Sequence, residues 1–240
     1  MAERAAIITG ASSGIGLAIA DVLGQEGYGL TVAARRPDKL EEAAGQLRDK
    51  GYDVEVVAAS LTEEEEVQKV VAAHRERFGR LDCLVNNAGV GIGAAVGEIS
   101  TKRMDMQLDL NLRSIILFHR ETVDLLRAAG AEHRKALVVN TASIAGKYGQ
   151  AWLSVYSATK AGVVGWTQSM HKELAQEGIK STALCPGFVD TPMTEFVKGQ
   201  VPADDMIRPE DIAETVRLLL RMSPACIVPE VQFVRPGDDM

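Results

Sequence analysis

The chain has 240 residues, 46% of them hydrophobic and 25% charged, and a net charge of −7. That acidic balance, with a pI near 5.2, excludes the basic footprint that nucleic acid or an anionic membrane surface demands. It leaves room for a small anion held by local positive charge in a cleft.

A chain of this length suits one α/β domain spanning 1–240, which buries roughly 70–75% of its unfolded surface without staples. Cys83, Cys185 and Cys226 are odd in number and scattered, so reduced thiols are expected rather than disulfides. His74, His119, His133 and His171 also lack ligand spacing, and no metal site is expected. A strand-like run begins at Ala5, and no apolar stretch reaches the ~20 residues of a membrane span. The expectation is a cytoplasmic protein with neither membrane nor nucleic-acid partners.

Short β-branched runs predict strands at Ala5–Thr9, Leu30–Ala34, Asp53–Ala58, Cys83–Asn86, Ala136–Asn140, Lys180–Cys185 and Val231–Val234. Helical patterns lie between them, near 15–26, 38–50, 63–78, 101–129, 153–177 and 210–222. Thr62 with Glu65 has the spacing of a capping box, the run Glu63–Glu66 reads as a solvated first turn, and Pro209-Glu210-Asp211 opens the last helix. Strands without two-residue alternation, separated by helices, predict a doubly wound, mainly parallel seven-stranded Rossmann-type sheet covered on both faces. Ligands in such sheets bind beyond the carboxyl ends of the strands.

After the first strand comes Thr9-Gly10-Ala11-Ser12-Ser13-Gly14-Ile15-Gly16. Small residues let backbone approach a pyrophosphate, whose charge meets the free N–H groups of the following helix. The spacing G-x-x-x-G-x-G departs from the commoner G-x-G-x-x-G, but its place between strand and helix points to a dinucleotide. After the second strand, where an NAD site carries an acid for the ribose hydroxyl, the chain reads Arg35-Arg36. A guanidinium fork chelates a 2′-phosphate, so NADP(H) is favoured over NAD(H), with Arg35 the leading contact and Arg36 the second.

Further motifs follow later strands: Asn86-Asn87-Ala88-Gly89, Leu110-Asn111-Leu112, Ser143, Tyr156-Ser157-Ala158-Thr159-Lys160 and Pro186-Gly187-Phe188-Val189-Asp190-Thr191. Together with the glycine turn they resemble the short-chain dehydrogenase/reductase family along nearly the whole chain. The resemblance implies a catalytic set of Asn111, Ser143, Tyr156 and Lys160. It implies cofactor contacts at Gly10, Ser12, Ser13, Gly14, Ile15, Gly16, Asn87, Ala88, Gly89, Tyr156, Lys160, Pro186, Gly187, Val189 and Thr191. It further implies that Lys160 holds the nicotinamide ribose, that Asn111 carries a water-linked proton relay, and that the chain forms a homodimer or homotetramer. Where the family carries an aspartate for the adenine amine, this chain has Ser60, followed by Leu61, as the matching cofactor contacts. Its ending, Val228–Phe233, also lacks the family's usual glycine-rich close.

The chemistry follows from the residues as well. Tyr156 and Lys160, four apart, share one helix face. Reducing a carbonyl requires a proton for the developing alkoxide, and oxidation requires its removal. A phenol near 10 is a weak base at neutral pH, and the Lys160 ammonium, aided by an oxidised nicotinamide, is expected to lower that value. Ser143 can hold the reacting oxygen beside the phenol. The family resemblance further implies a pocket lined from three loops, Val90–Val96, Ile144–Trp152 and Phe188–Met206, which carry Ile92, Tyr148, Trp152, Phe188, Met193, Phe196 and Val197, with Lys147 and Lys198 their only basic residues. That content predicts a neutral, apolar ketone or secondary alcohol, under a mobile lid at 188–208. Ile115, Phe118, Val164 and Trp166 suit either a subunit interface or a core. The alternatives are an NAD-preferring dehydrogenase of the same mechanism and a non-catalytic dinucleotide-sensing protein.

Overall fold

In the computed structural model, which describes residues 3–199 and 201–238, each apolar run becomes a strand. These are β1 (Arg4–Thr9), β2 (Tyr28–Ala34), β3 (Val54–Ala58), β4 (Cys83–Asn86), β5 (Ala136–Thr141), β6 (Ile179–Pro186) and β7 (Glu230–Phe233). They form one sheet in the order β3-β2-β1-β4-β5-β6-β7, every neighbouring pair parallel. All seven residues of β2 are buried, as expected of a strand covered on both faces.

The helices are α1 (Gly14–Gln25), α2 (Pro37–Asp49), α3 (Glu64–Phe78), α4 (Thr101–Leu108), α5 (Ser114–His133), α6 (Ser154–Leu174) and α7 (Pro209–Arg221). Neighbouring residues of one strand feed opposite cores, because successive side chains point to opposite faces. Ile8 packs with Leu23, Leu40 and Val216 on the α1/α2/α7 side. Ile7 packs with Val70, Phe118 and Leu126 on the α3/α5 side. A smaller cluster joins Ile115, Val163 and Val164 to Cys185 under α6. The core reading therefore holds for Ile115, Phe118 and Val164, while Trp166 is half-buried and donates its indole N–H to His119 Nδ1 at 3.3 Å. Cys83 and Cys185 are free and buried, and Cys226 is free and exposed.

Two expectations about helices need correction. The stretch 101–129 is not one helix: a π-helical turn, Asp109–Arg113, separates α4 from α5, and α5 runs on to His133. The capping box of Thr62 and Glu65 does not form, because the N-cap is Glu63 and Thr62 Oγ1 is engaged with Ser60 Oγ and Glu63 instead. The acidic first turn is real, with Glu64 paired to Arg113 and Arg120. In α7, Asp211 accepts the Arg208 backbone N–H at 3.0 Å, which seats Pro209 in the first turn. Chain order reverses between the adjacent strands β1 and β4, which places the switch point directly above the glycine turn.

Candidate active site

The glycine turn is tight because neighbours leave no space for side chains. Gly10 and Gly14 take left-handed backbone at φ 68° and 54°. A β-carbon on Gly16 would lie 2.4 Å from the Gly10 carbonyl oxygen, and one on Gly14 would lie 2.8 Å from Thr191 Cγ2. Asn87 fastens the turn to β4: its Nδ2 donates to the Thr9 oxygen at 3.2 Å, while Thr9 Oγ1 accepts from Asn87 N and Ala88 N at 2.9 and 3.0 Å. Ser13 is the N-cap of α1 but its side chain makes no capping bond. The first-turn N–H groups are thus left for an anion. Such a cradle fits a dinucleotide pyrophosphate.

Past β2, Arg35 and Arg36 are exposed, and no carboxylate among the described residues pairs with either. Arg36 joins Ser12, Ser13, Gly14, Lys39 and Pro192 around a cleft of about 310 Å³, whereas Arg35 does not line it. Ser60 is half-buried, with its hydroxyl 3.1 Å from Thr62 Oγ1. The Leu61 side chain packs into the core, so only its backbone is left for a ligand. At the end of β6, Pro186 is buried, Gly187 donates to the Phe233 oxygen at 2.8 Å, Val189 joins the core and Thr191 N donates to Thr194 Oγ1.

Asn111 is fully buried in the π turn. Its Nδ2 donates to the Val90 oxygen at 2.9 Å and to Thr159 Oγ1 at 3.1 Å, and its Oδ1 accepts the Val90 N–H at 2.7 Å. One turn earlier, Gln107 Oε1 accepts the Ile92 N–H at 3.1 Å. The two amides clamp the 90–92 backbone, and the widened turn aims both at it. A β-carbon on Gly89 would lie 3.2 Å from Asn111 Oδ1 and 3.4 Å from Lys160 Nζ, so the cofactor strand, Asn111 and Lys160 converge here. Gln107, Thr9, Thr141 and Thr159 were not singled out by the sequence. Only Gln107 left a trace there, as a polar residue four before Asn111 on the same helix face.

Tyr156 sits in the first turns of α6, half-buried, with Lys160 Nζ 5.7 Å from its ring centre. Lys160 is 3% exposed and donates to the Thr141 carbonyl at 2.7 Å. Burial draws its ammonium down to about 8. Burial also pushes the Tyr156 phenol above its ordinary value, with the Ser143 hydroxyl pulling the other way. This reverses the expected lowering by Lys160, because desolvation of the phenol dominates and the ammonium is turned to the Thr141 carbonyl. Ser143 caps the short turn Ile144–Gly146, accepting the Ala145 N–H at 3.1 Å, and its hydroxyl lies 3.4 Å from the Pro186 oxygen. A polarisable hydroxyl, a protonated phenol and a buried cation thus share one end of the sheet.

The surrounding loops are apolar and open. Val96, Tyr148, Trp152, Phe188, Met193 and Phe196 are all exposed, but Val197 is buried, so it packs inward and does not line the mouth. Both loop cations are neutralised: Lys147 pairs with Glu230 at 2.8 Å, and Lys198 pairs with Asp190 and Glu195 at 3.0 and 2.8 Å. Gln200, within the 188–208 segment, lies outside the described residues. No described group of His, Cys, Asp and Glu could hold a metal, and no described helix is long and apolar enough to cross a membrane.

Known proteins share this arrangement. A Streptomyces coelicolor protein named "Putative ketoacyl reductase" is 35% identical over 98% of this chain and 97% of its own. The crystal structure of an actinorhodin polyketide ketoreductase variant with NADPH superposes with a TM-score of 0.87 at 33% identity, covering 97% of each chain. A Brucella melitensis 3-ketoacyl-(acyl-carrier-protein) reductase solved with NADH gives 0.87 at 28% identity over 98% of each chain. The family described as short chain dehydrogenase matches residues 4–201. By that match, and by a seven-stranded parallel sheet built to hold a nicotinamide dinucleotide, the chain belongs to the short chain dehydrogenase family of oxidoreductases.

Proposed function

We propose that the protein is an NADP(H)-dependent carbonyl reductase, acting on a neutral, largely apolar ketone, with Tyr156 as the proton donor and Ser143 as the hydrogen-bonding partner of the reacting oxygen. The carrying observation is the placement of Ser143 and Lys160 around a phenol held protonated by burial. A bound nicotinamide supplies the hydride, or takes it up in reverse. Ser143 orients the carbonyl oxygen, and the Tyr156 hydroxyl delivers its proton to that oxygen as negative charge develops. Lys160, charged below about 8, stabilises the phenolate left behind, and in this reading it also holds the nicotinamide ribose. The Asn111 side chain serves as a clamp on Val90 rather than as a relay, since its amide is engaged at both ends.

Arg36 and Lys39, with Arg35 beside them in sequence, form the positive corner that a 2′-phosphate requires, and the paired loop lysines favour a neutral substrate. The 188–208 segment serves as the lid, and the assembly is a homodimer or homotetramer in the cytoplasm. The test is Tyr156→Phe, expected to lower turnover by about a thousandfold while NADPH affinity persists. Undiminished turnover refutes the acid role; cofactor binding by the wild type without turnover of any carbonyl substrate would point to the dinucleotide-sensing alternative. The NAD-preferring alternative is favoured by one observation, the NADH in the Brucella relative. Replacing Arg35 and Arg36 with alanine is expected to weaken NADPH far more than NADH, and an equal loss of both overturns the cofactor assignment.

A further inference from the structure

Among the described residues, two that are not glycine have left-handed backbone, Arg134 and Trp152, the latter at φ 68°. Arg134 closes α5, an ordinary place for that conformation. Trp152 has no such reason. A bulky residue holds this geometry only where its surroundings over-determine it, and such outliers gather at functional sites. Two contacts fix Trp152. Its carbonyl accepts the Ala94 N–H at 2.9 Å, and its indole lies flat on Gly93, where a β-carbon would meet ring carbon Cζ3 at 2.2 Å.

The loop beneath the indole is held at two residues. Asn111 and Gln107 hold Val90 and Ile92 from below, and a β-carbon on Gly91 would come within 3.7 Å of the Tyr156 ring. The indole is therefore linked to the phenol through the short run Gly91–Gly93, whose middle residue, Ile92, is held by Gln107. It is nonetheless 59% exposed. A tryptophan recruited for packing would be covered; this one is fixed at the back and open at the front. Aromatic residues make up only 5% of the chain, yet Tyr148, Phe188 and Phe196, on the same group of loops, are each more than a third exposed.

We infer that Trp152 is a specificity-determining residue whose open indole face is a platform for a flat, aromatic or conjugated group next to the substrate carbonyl. The inference rests on the reductase reading above. Gly93 is the positioning half of the pair, since any side chain there evicts the indole while leaving it in the protein.

The test compares two ketones with the same carbon skeleton, planar 2-acetonaphthone and its saturated, non-planar counterpart 2-acetyldecalin, with NADPH and purified full-length variants whose folding is checked by circular dichroism. Trp152→Ala is expected to raise KM for the planar ketone about tenfold and for the other by less than about twofold. kcat and NADPH affinity should stay near wild type, Trp152→Phe should restore much of the KM, and Gly93→Ala should reproduce the loss. Equal KM changes for the two ketones overturn the inference, as does a change of oligomeric mass with the KM ratio unmoved. A direct readout uses the chain's second tryptophan: in a Trp166→Phe background Trp152 is the sole indole, and 2-acetonaphthone should quench its emission. Quenching without turnover in the wild type would sink the reductase reading and keep the platform. Turnover without quenching would sink the platform alone.

Discussion

Lys160 is the residue whose energetics can be read most directly from solution. Its folded value of about 8 lies below the ordinary 10.5, because burial disfavours the ammonium. A depressed base makes the fold less stable wherever the lysine must be charged, and stability rises between pH 8 and 10.5 as the folded chain sheds a proton that the unfolded chain keeps. The cost below that window is about 3 kcal/mol. Lys160→Met should therefore be more stable than wild type at pH 7 by about 2 kcal/mol, after about 1 kcal/mol is lost at the unpaired Thr141 carbonyl. Urea unfolding at neutral pH and near pH 10 checks it: the gap must close as pH rises, and a constant gap contradicts the shift. Activity of the same variant should fall at least a hundredfold, roughly. Trp152 permits a second comparison, because Trp152→Gly and Trp152→Ala remove the same indole but only glycine relieves the left-handed backbone. The glycine variant should melt higher, by about 1 kcal/mol of stability.

At the scale of elements, α1 and α2 offer matched glycines with opposite outcomes. Nothing lies within 4 Å of a β-carbon built on Gly45, in the interior of α2, so Gly45→Ala should stabilise by about 0.5–1 kcal/mol. On Gly16 the same carbon meets backbone oxygen at 2.4 Å, and Gly16→Ala should destabilise by about 1–3 kcal/mol or more and weaken NADPH binding. Thermal melting with and without NADPH separates the two. The strands were legible in the sequence because a parallel sheet demands unbroken apolar runs, and β2 or β4 could hardly read otherwise. The ends of the elements were less legible, since they are decided by contacts far away in the chain. Thr62 has the right spacing for a cap but bonds Ser60 instead. The π turn at Asp109–Arg113 left no local mark, because what it accomplishes is the reach of Asn111 to Val90, 21 residues away. The tyrosine–lysine pair stood out only together with the glycine turn, Asn111 and Ser143, since that spacing alone is common, and the direction of the tyrosine's shift depends on burial, which spacing does not encode.

For the molecule as a whole the net charge is −7, and Arg36 and Lys39, with Arg35 beside them in sequence and Glu42 on the same cleft, are the cations proposed to meet a 2′-phosphate. Attraction there is exposed to solvent and is screened over about 10 Å at 0.1 M salt. NADPH affinity should consequently weaken as salt rises from about 0.02 to 0.5 M, while NADH affinity changes little, and fluorescence titration of both cofactors reads the difference. Parallel slopes for the two would place the 2′-phosphate away from these cations. The 188–208 segment, proposed above as the lid, has its own whole-molecule consequence. It leaves and rejoins the body at one place: Val189 bridges Ile207, Asp190 donates to the Ile207 oxygen at 2.8 Å and Ile207 donates to the Phe188 oxygen at 3.0 Å. Both ends being knotted together, the segment is a closed noose rather than a tether. A protease that nicks the exposed turn at Ala203–Asp205 would open the noose but leave each cut end anchored, and β6 and α7 would still pack as before. The nicked protein should travel as one particle, split only in denaturant, and differ from the intact chain chiefly in how quickly ligands come and go.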